Sequence, residues 1–263
     1  MRPTWKKRIL TAAVCGALLL SGCARDTGGE TEQTGGAAAA ETVTGYVRPA
    51  DFTVSTADGW SFSLSGAVAE NDAVLIVLFD PSDPGALPVL SAAEQYCAGT
   101  DRVAGLGLTV GNSAAPDGSG LPVGSADGIG LERLTEGGLP VLLTVDRYGY
   151  LAMVNRDPPV DAEELERLTA PFLGEDYVLP EESRYEITMS LPVPGVIFAF
   201  CTDETCVPAA TDGTGTAVFE GAPGEYEVKV LSVPQGYEVS LPEGLVTGPY
   251  SERIPADITE AGS

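Results

Sequence analysis

Two apolar runs organise the first half of the chain. Residues 73–79 (AVLIVLF) hold no polar side chain, and residues 102–110 (RVAGLGLTV) are nearly as apolar. Runs without alternation suit strands that are covered on both faces, as in a parallel sheet. Between them lie a Pro- and Asp-rich loop, residues 80–88 (DPSDPGALP), and an apolar-periodic stretch, residues 89–96, that predicts a helix. Strand, helix and strand in this order predict a parallel pair with a crossover helix. Upstream, residues 51–54 and 58–64 predict a strand pair joined by an Asp-Gly turn. Downstream, residues 138–154 read as a hairpin turning at Asp146 to Gly149. Residues 161–173 predict an amphipathic helix with Leu165, Leu168 and Phe172 on one face.

From residue 183 the helical period disappears. Short apolar stretches at 186–191, 195–200, 215–219, 224–231 and 250–254 alternate with Pro and Gly, which predicts a small β-sandwich. Residues 175–182 (EDYVLPEE) read as a linker. The organisation expected is therefore an α/β domain over 46–174 and an all-β domain over 183–263.

The amino terminus has a different composition. Arg2, Lys6, Lys7 and Arg8 precede an apolar core from Ile9 to Leu20, a signal-peptide pattern too short to span a bilayer. It ends in Leu20-Ser21-Gly22-Cys23, which resembles the lipobox of bacterial lipoproteins. The resemblance implies cleavage after residue 22 and a diacylglycerol on the Cys23 sulfur. Cys15 would leave with the signal peptide. Residues 23–45, rich in Gly, Ala, Thr and Glu, have the composition of a flexible tether. Removing residues 1–22 takes away four basic residues and no acidic one. The mature chain then has 10 Lys+Arg against 38 Asp+Glu, a net charge of −28. That charge argues against nucleic acid or an anionic lipid surface as a partner.

The order D-F-x-V-x-T-x-D-G, buried strand, helix, second buried strand, G-x-P-V-x-x-x-V-D-x-x-G and closing helix resembles the redoxin branch of the thioredoxin fold, the TlpA and peroxiredoxin-like proteins. The resemblance implies a thioredoxin-like fold over 46–174 and makes Pro140 the cis-proline that faces the redox loop. The residues alone equally allow a trans proline opening an edge strand. The second half, through T-D-x-x-G-x-A-x-F, P-G-x-Y-x-V and V-P-x-G-Y with Tyr226 and Tyr237, resembles the prealbumin-like SpaA and Cna-B domains of bacterial surface proteins. Some members carry a Lys-to-Asn isopeptide bond. Here the one lysine of this half, Lys229, lies on the Tyr226 strand, and the half has no asparagine.

The chemistry of the resemblance is missing. TlpA-like proteins carry F-W-x-x-W-C-x-x-C after the strand, whereas here Phe79 and Pro88 enclose eight residues with no cysteine. Pro88 stands where a peroxidatic thiol would be. Only a thiolate performs this exchange. Cys97, at the far end of the helix, reads as a buried small hydrophobe or as a lone sensor thiol. Cys201 and Cys206, in C-T-D-E-T-C, suit a disulfide across a hairpin outside the cytoplasm. A catalytic dithiol or a metal site would need a helix N-terminus or further ligands. The chain has no histidine, which removes Ser-His-Asp, Cys-His and the usual zinc sets. Carboxylate pairs such as Asp80/Asp83 and Glu163/Glu164 are expected from composition. Residues 111–130 carry no Lys or Arg for phosphate and read as a mobile loop beside the vacated site.

These features point to a lipid-anchored extracytoplasmic binding or scaffold protein, with no catalytic residue, cofactor or metal, held at the membrane through Cys23 and meeting a protein partner at the cell surface. The alternatives are a thiol-disulfide oxidoreductase of the TlpA type, acting through Cys97 or Cys201/Cys206, and a solute-binding lipoprotein.

Overall fold

All seven residues of β3 (Ala73–Phe79) are buried, and the first half of the fold is arranged around them. The computed structural model describes residues 45–55, 59–111, 119–136, 138–242 and 244–262. On one side β3 pairs in parallel with β4 (Val103–Thr109), from Ala73↔Val103 to Phe79↔Thr109. On the other it pairs antiparallel with β6 (Val141–Asp146). A short β5 (Val123–Ser125) extends the sheet beyond β4 in parallel, and β7 (Leu151–Asn155) continues antiparallel from β6. Alternate residues of β3 enter two cores, one on each face, which is why no position of the strand is polar. Val74, Ile76 and Leu78 pack with Leu143, Val145 and the hairpin of β1 (Thr53–Ser55) and β2 (Ser61–Ser63), and with Leu64 of α1 (Leu64–Glu70). Leu75, Val77 and Phe79 pack under α2 (Ala86–Gly99) and against Leu165 of α3 (Ala162–Thr169).

The helices differ from the sequence expectation at their ends. α2 opens at Ala86 rather than after Pro88, so Pro88 sits in the first turn, where a helix has no intrahelical use for an N–H. α1 was not expected. Ser63 caps it by accepting a hydrogen bond from Gly66 N at 3.0 Å. α3 begins at its Asp161 cap, whose carboxylate accepts from Glu164 N at 2.8 Å. Its α-helical part stops at Thr169, because Pro171 removes the next donor, and the chain continues as a 3-10 turn, Ala170–Phe172. Residues 111–130 are not all loop: β5 lies within them, and Leu121, Val123 and Ala126 are buried. The burial of these apolar side chains holds the segment against β4.

The C-terminal half is all-β among the described residues. β9 (Ile197–Cys201) pairs antiparallel with β10 (Cys206–Ala210) and β12 (Glu227–Ser232) in a three-stranded sheet. Facing it are β11 (Thr216–Gly221), β8 (Ser183–Met189), β14 (Ser251–Glu260) and β13 (Tyr237–Ser240). The space between the sheets holds Tyr185, Ile187, Phe198, Phe200, Val228, Ile254 and Ile258. The Phe200 and Phe219 rings lie 4.9 Å apart. The buried Tyr185 hydroxyl accepts from Gly224 N at 3.1 Å and donates to Gly248 O at 3.1 Å, so its polar end is satisfied.

The main sheet runs from one half into the other. β14 lies between β7 and β8, parallel to both, giving the order β11-β8-β14-β7-β6-β3-β4-β5. Arg156 N extends the seam by donating to Arg253 O at 3.0 Å. Residues 175–182 hold no helix or strand, yet side chains fasten the segment around them. Arg147 Nη2 donates to Gly174 O at 2.7 Å and Tyr148 Oη to Tyr177 O at 3.0 Å. Tyr46 Oη donates to Glu182 O at 3.2 Å.

Candidate functional site

The register of β3 and β6 places the site. Leu78 pairs with Val141, so Pro140 lies beside the end of β3, where the chain leaves the sheet for the loop before α2. The Leu139–Pro140 peptide is cis.

The loop facing it is closed on itself. Asp80 Oδ1 accepts from Ser82 N and Ser82 Oγ, each at 2.8 Å, and Asp83 Oδ1 accepts from Gly85 N at 2.8 Å. Asp83 N donates to Asp80 O at 3.0 Å and Ala86 N to Asp83 O at 3.1 Å, so two successive Asx turns carry the chain into the helix. The backbone and hydroxyl hydrogen bonds from Ser82 hold the Asp80 carboxyl below its ordinary range. Ser82 Oγ is the one hydroxyl nucleophile of the loop, and Asp80, its partner, is a poorer base for that depression. Gly85 caps α2 without a side chain. The carboxylates of Asp80 and Asp83 are thus turn builders, and nothing in the loop supplies a thiolate.

The remaining cysteines lie elsewhere. Among the described residues Cys97 is the one unpaired cysteine. It is 6% exposed, and burial pushes its thiol up to about 12. Its sulfur sits against Gly105 of β4, where an added Cβ would be 2.8 Å from Sγ. It lies twelve residues beyond Gly85, about 18 Å along the helix axis. Cys201 and Cys206 are disulfide-bonded and face each other across the β9–β10 hairpin. The hairpin closes through Thr202 N donating to Thr205 O at 2.8 Å. Cys201 is buried and Cys206 exposed, on the sandwich and not at a helix N-terminus. Among the described residues no group of three His, Cys, Asp or Glu side chains is placed to hold a metal ion. Cys23, the expected lipidation site, lies outside the described residues, as do residues 112–118. Among the described residues no helix is long and apolar enough to cross a membrane.

Two buried carboxylates escaped the sequence reading of the site. Asp146, in the β6–β7 turn, accepts from Tyr148 N, Tyr150 N and Tyr177 Oη, each at 2.9 Å, and burial raises its pKa above the ordinary value. Glu252 of β14 is paired with Arg156 at 2.6 Å. The signal for Glu252 was present: it shares a strand face with Ile254, Ala256 and Ile258, so strand alternation puts an acid on an apolar stripe.

No protein-family model and no curated protein matches the chain. Solved structures similar to it align over about half its length. A thiol:disulfide interchange protein of the thioredoxin family from Chlorobium tepidum is 20% identical over 49% of this chain and 97% of its own, with a TM-score of 0.39. StoA from Bacillus subtilis is 16% identical over 46% of this chain and 97% of its own, with a TM-score of 0.39. The pneumococcal exposed lipoprotein thioredoxin from Streptococcus pneumoniae is 20% identical over 46% of this chain and 99% of its own, with a TM-score of 0.37.

Proposed function

We propose that the protein is a lipid-anchored extracytoplasmic lipoprotein whose thioredoxin-like half is a non-catalytic binding or scaffold domain, coupled to a prealbumin-like sandwich and directed at a protein partner on the cell surface. The observation that carries the reading is the loop between β3 and α2, which keeps its place beside Pro140 but holds Asp, Ser, Pro and Gly where exchange chemistry requires sulfur. Fold does not bring activity without its site. The buried Cys97 thiol, with a pKa near 12, is almost wholly protonated at neutral pH and is no substitute nucleophile. The anchor rests on the basic, apolar and Leu20–Cys23 pattern of the amino terminus, and the exclusion of nucleic acid on the charge.

The test uses the full chain, produced in a bacterium and solubilised in detergent. Labelled palmitate is expected on the wild type and not on Cys23→Ala; equal labelling or none removes the anchor. Thiol titration in denaturant is expected to find Cys97 alone before reduction, and Cys97, Cys201 and Cys206 after it. Insulin reduction by dithiothreitol is expected to run at the uncatalysed rate. Turnover that disappears in Cys201→Ser would establish an oxidoreductase whose active site has moved to the sandwich.

A further inference from the structure

Glu252 is 1% exposed, and the side chain of Arg156, which it pairs with, is 8% exposed. A fully desolvated ion pair is poor evidence of stability, because well-packed apolar residues commonly do as well. What distinguishes this pair is where its other hydrogen bonds go. Glu252 Oε1 accepts from Arg156 Nε at 2.6 Å, and Oε2 accepts from Gly248 N at 3.2 Å, so the carboxylate is fixed from within the C-terminal half. The guanidinium reaches the other way. Arg156 Nη1 donates to Leu134 O at 3.2 Å and to Glu136 O. Leu134 lies in the 3-10 turn Glu132–Thr135 and Glu136 directly after it, and Thr135 O accepts from Gly138 N at 3.2 Å just before Leu139, Pro140 and β6. The terminal carbonyls of a short helix have no partner within it.

Register fits this connection. Glu252 lies opposite Val154 of β7 and Tyr185 of β8, and Arg156 follows directly after β7. One side chain from the C-terminal half thus sets the orientation of an arginine whose fork spans to the rim of the site at the end of β3.

We propose that Glu252 and Arg156 form a strap by which the C-terminal half holds the turn at Leu134 and Glu136, so that displacing β14 loosens the rim of the candidate site. Arg156 is a positioning residue: it acts through the turn and touches no reacting group. The inference stands on the seam alone and does not depend on the scaffold reading.

The experiment is hydrogen exchange read by mass spectrometry on the full chain. The double variant Arg156→Met/Glu252→Leu replaces the ions by apolar side chains and is expected to keep the wild-type unfolding temperature within a few degrees. In it the peptide holding the Leu134 and Gly138 amides is expected to exchange at least tenfold faster, while peptides from β8, β9 and β12 stay at wild-type rates. Arg156→Lys keeps the charge but lacks the planar fork, and is expected to loosen the same peptide. Unchanged exchange at 134–138 in Arg156→Lys, or acceleration spread equally over the whole chain, would show an ordinary structural ion pair and overturn the strap. Should the double variant fail to fold, Arg156→Lys decides the question alone.

Discussion

Placing sulfur in the loop measures how well its electrostatics would suit a thiolate. Gly85 caps α2 and Pro88 lies three residues on, so Gly85→Cys/Pro88→Cys builds a Cys-x-x-Cys at a helix N-terminus. Two effects then set the pKa of the new thiol at position 85. The helix N-terminus favours a thiolate by about 0.3–1 kcal/mol, which lowers the pKa by roughly 0.2–0.7 units. Against it stands Asp83, whose Oδ1 is 3.2 Å from a Cβ built at position 85. A charge about 4 Å away costs about 1 kcal/mol even in water, raising the pKa by roughly 0.7 units. The effects leave a net rise of about 0–0.5 units, so the thiol is expected to titrate at or a little above its ordinary value of about 8.5, well above the value of about 7 of a working thioredoxin pair. Adding Asp83→Asn keeps an acceptor for the amide at position 85 and is expected to lower the value by about 0.7 units. The assay is the rate of iodoacetamide alkylation against pH, with insulin reduction alongside. A pKa at or below about 7.5 with Asp83 in place would refute the reasoning. It would mean that the loop's electrostatics favour a thiolate despite Asp83.

Three further perturbations test the fold around the site. Asp146→Ala strands three donors and is expected to cost about 2–4 kcal/mol in urea unfolding at neutral pH. Because burial raises the folded pKa of Asp146, the folded state holds its proton more tightly than the unfolded state. This carboxyl therefore adds stability as pH falls through the raised value, levelling off below the unfolded value of 3.8. Asp146→Asn is expected to remove that gain, read as a smaller stability difference between neutral and mildly acid urea titrations than the wild type shows. Gly105→Ala places a Cβ 2.6 Å from Leu121 Cδ2 and 2.8 Å from Cys97 Sγ. It is expected to cost about 1–3 kcal/mol through overpacking in the same assay, and a neutral result would mean that the α2–β4 contact yields. Replacing both Cys201 and Cys206 by serine opens a short loop with a sequence separation of 5. The unfolded chain gains entropy worth about 2 kcal/mol, and a loss of stability far from that figure would contradict the entropic account.

How much of this was legible in the sequence depended on whether the information was local. β3 and β4 declared themselves because strands buried on both faces need uninterrupted apolar runs. The β6–β7 turn was marked by Asp146 to Gly149, where Gly149 takes φ 80° and Asp146 accepts from the turn amides. α1 was hidden because it buries Leu64 alone and contains Gly66, leaving no apolar stripe. β10 was hidden because it is an edge strand with Pro208 at its centre and most of its residues exposed. The β7–β14 pairing could not be read at all. It joins Met153 to Ser251, and nothing in either local pattern chooses a partner so distant in sequence. Arg156 and Glu252 shared that fate as a pair, although the position of Glu252 on an apolar face advertised that some cation had to meet it.

The loop at the end of β3 is held by packing beneath it and by its own hydrogen bonds. Phe79 at the end of β3 and Val89 and Leu90 on α2 are buried together in the core beside the loop. The loop's backbone donors are met within it by Asp80 and Asp83, so its shape does not depend on a metal, a disulfide or a substrate. The sheet beneath it extends through β14 into β8 and β11, which adds buried apolar surface to the support of β6 and β7. A loop whose turns are closed by its own hydrogen bonds would need little ordering on binding a ligand. Catalysis would demand more: a nucleophile, a base matched to the working pH, and a partner for the developing charge. At the end of β3 the one hydroxyl of the loop, Ser82, has as its partner only Asp80, a weakened base, and the acidic loop works against a developing negative charge.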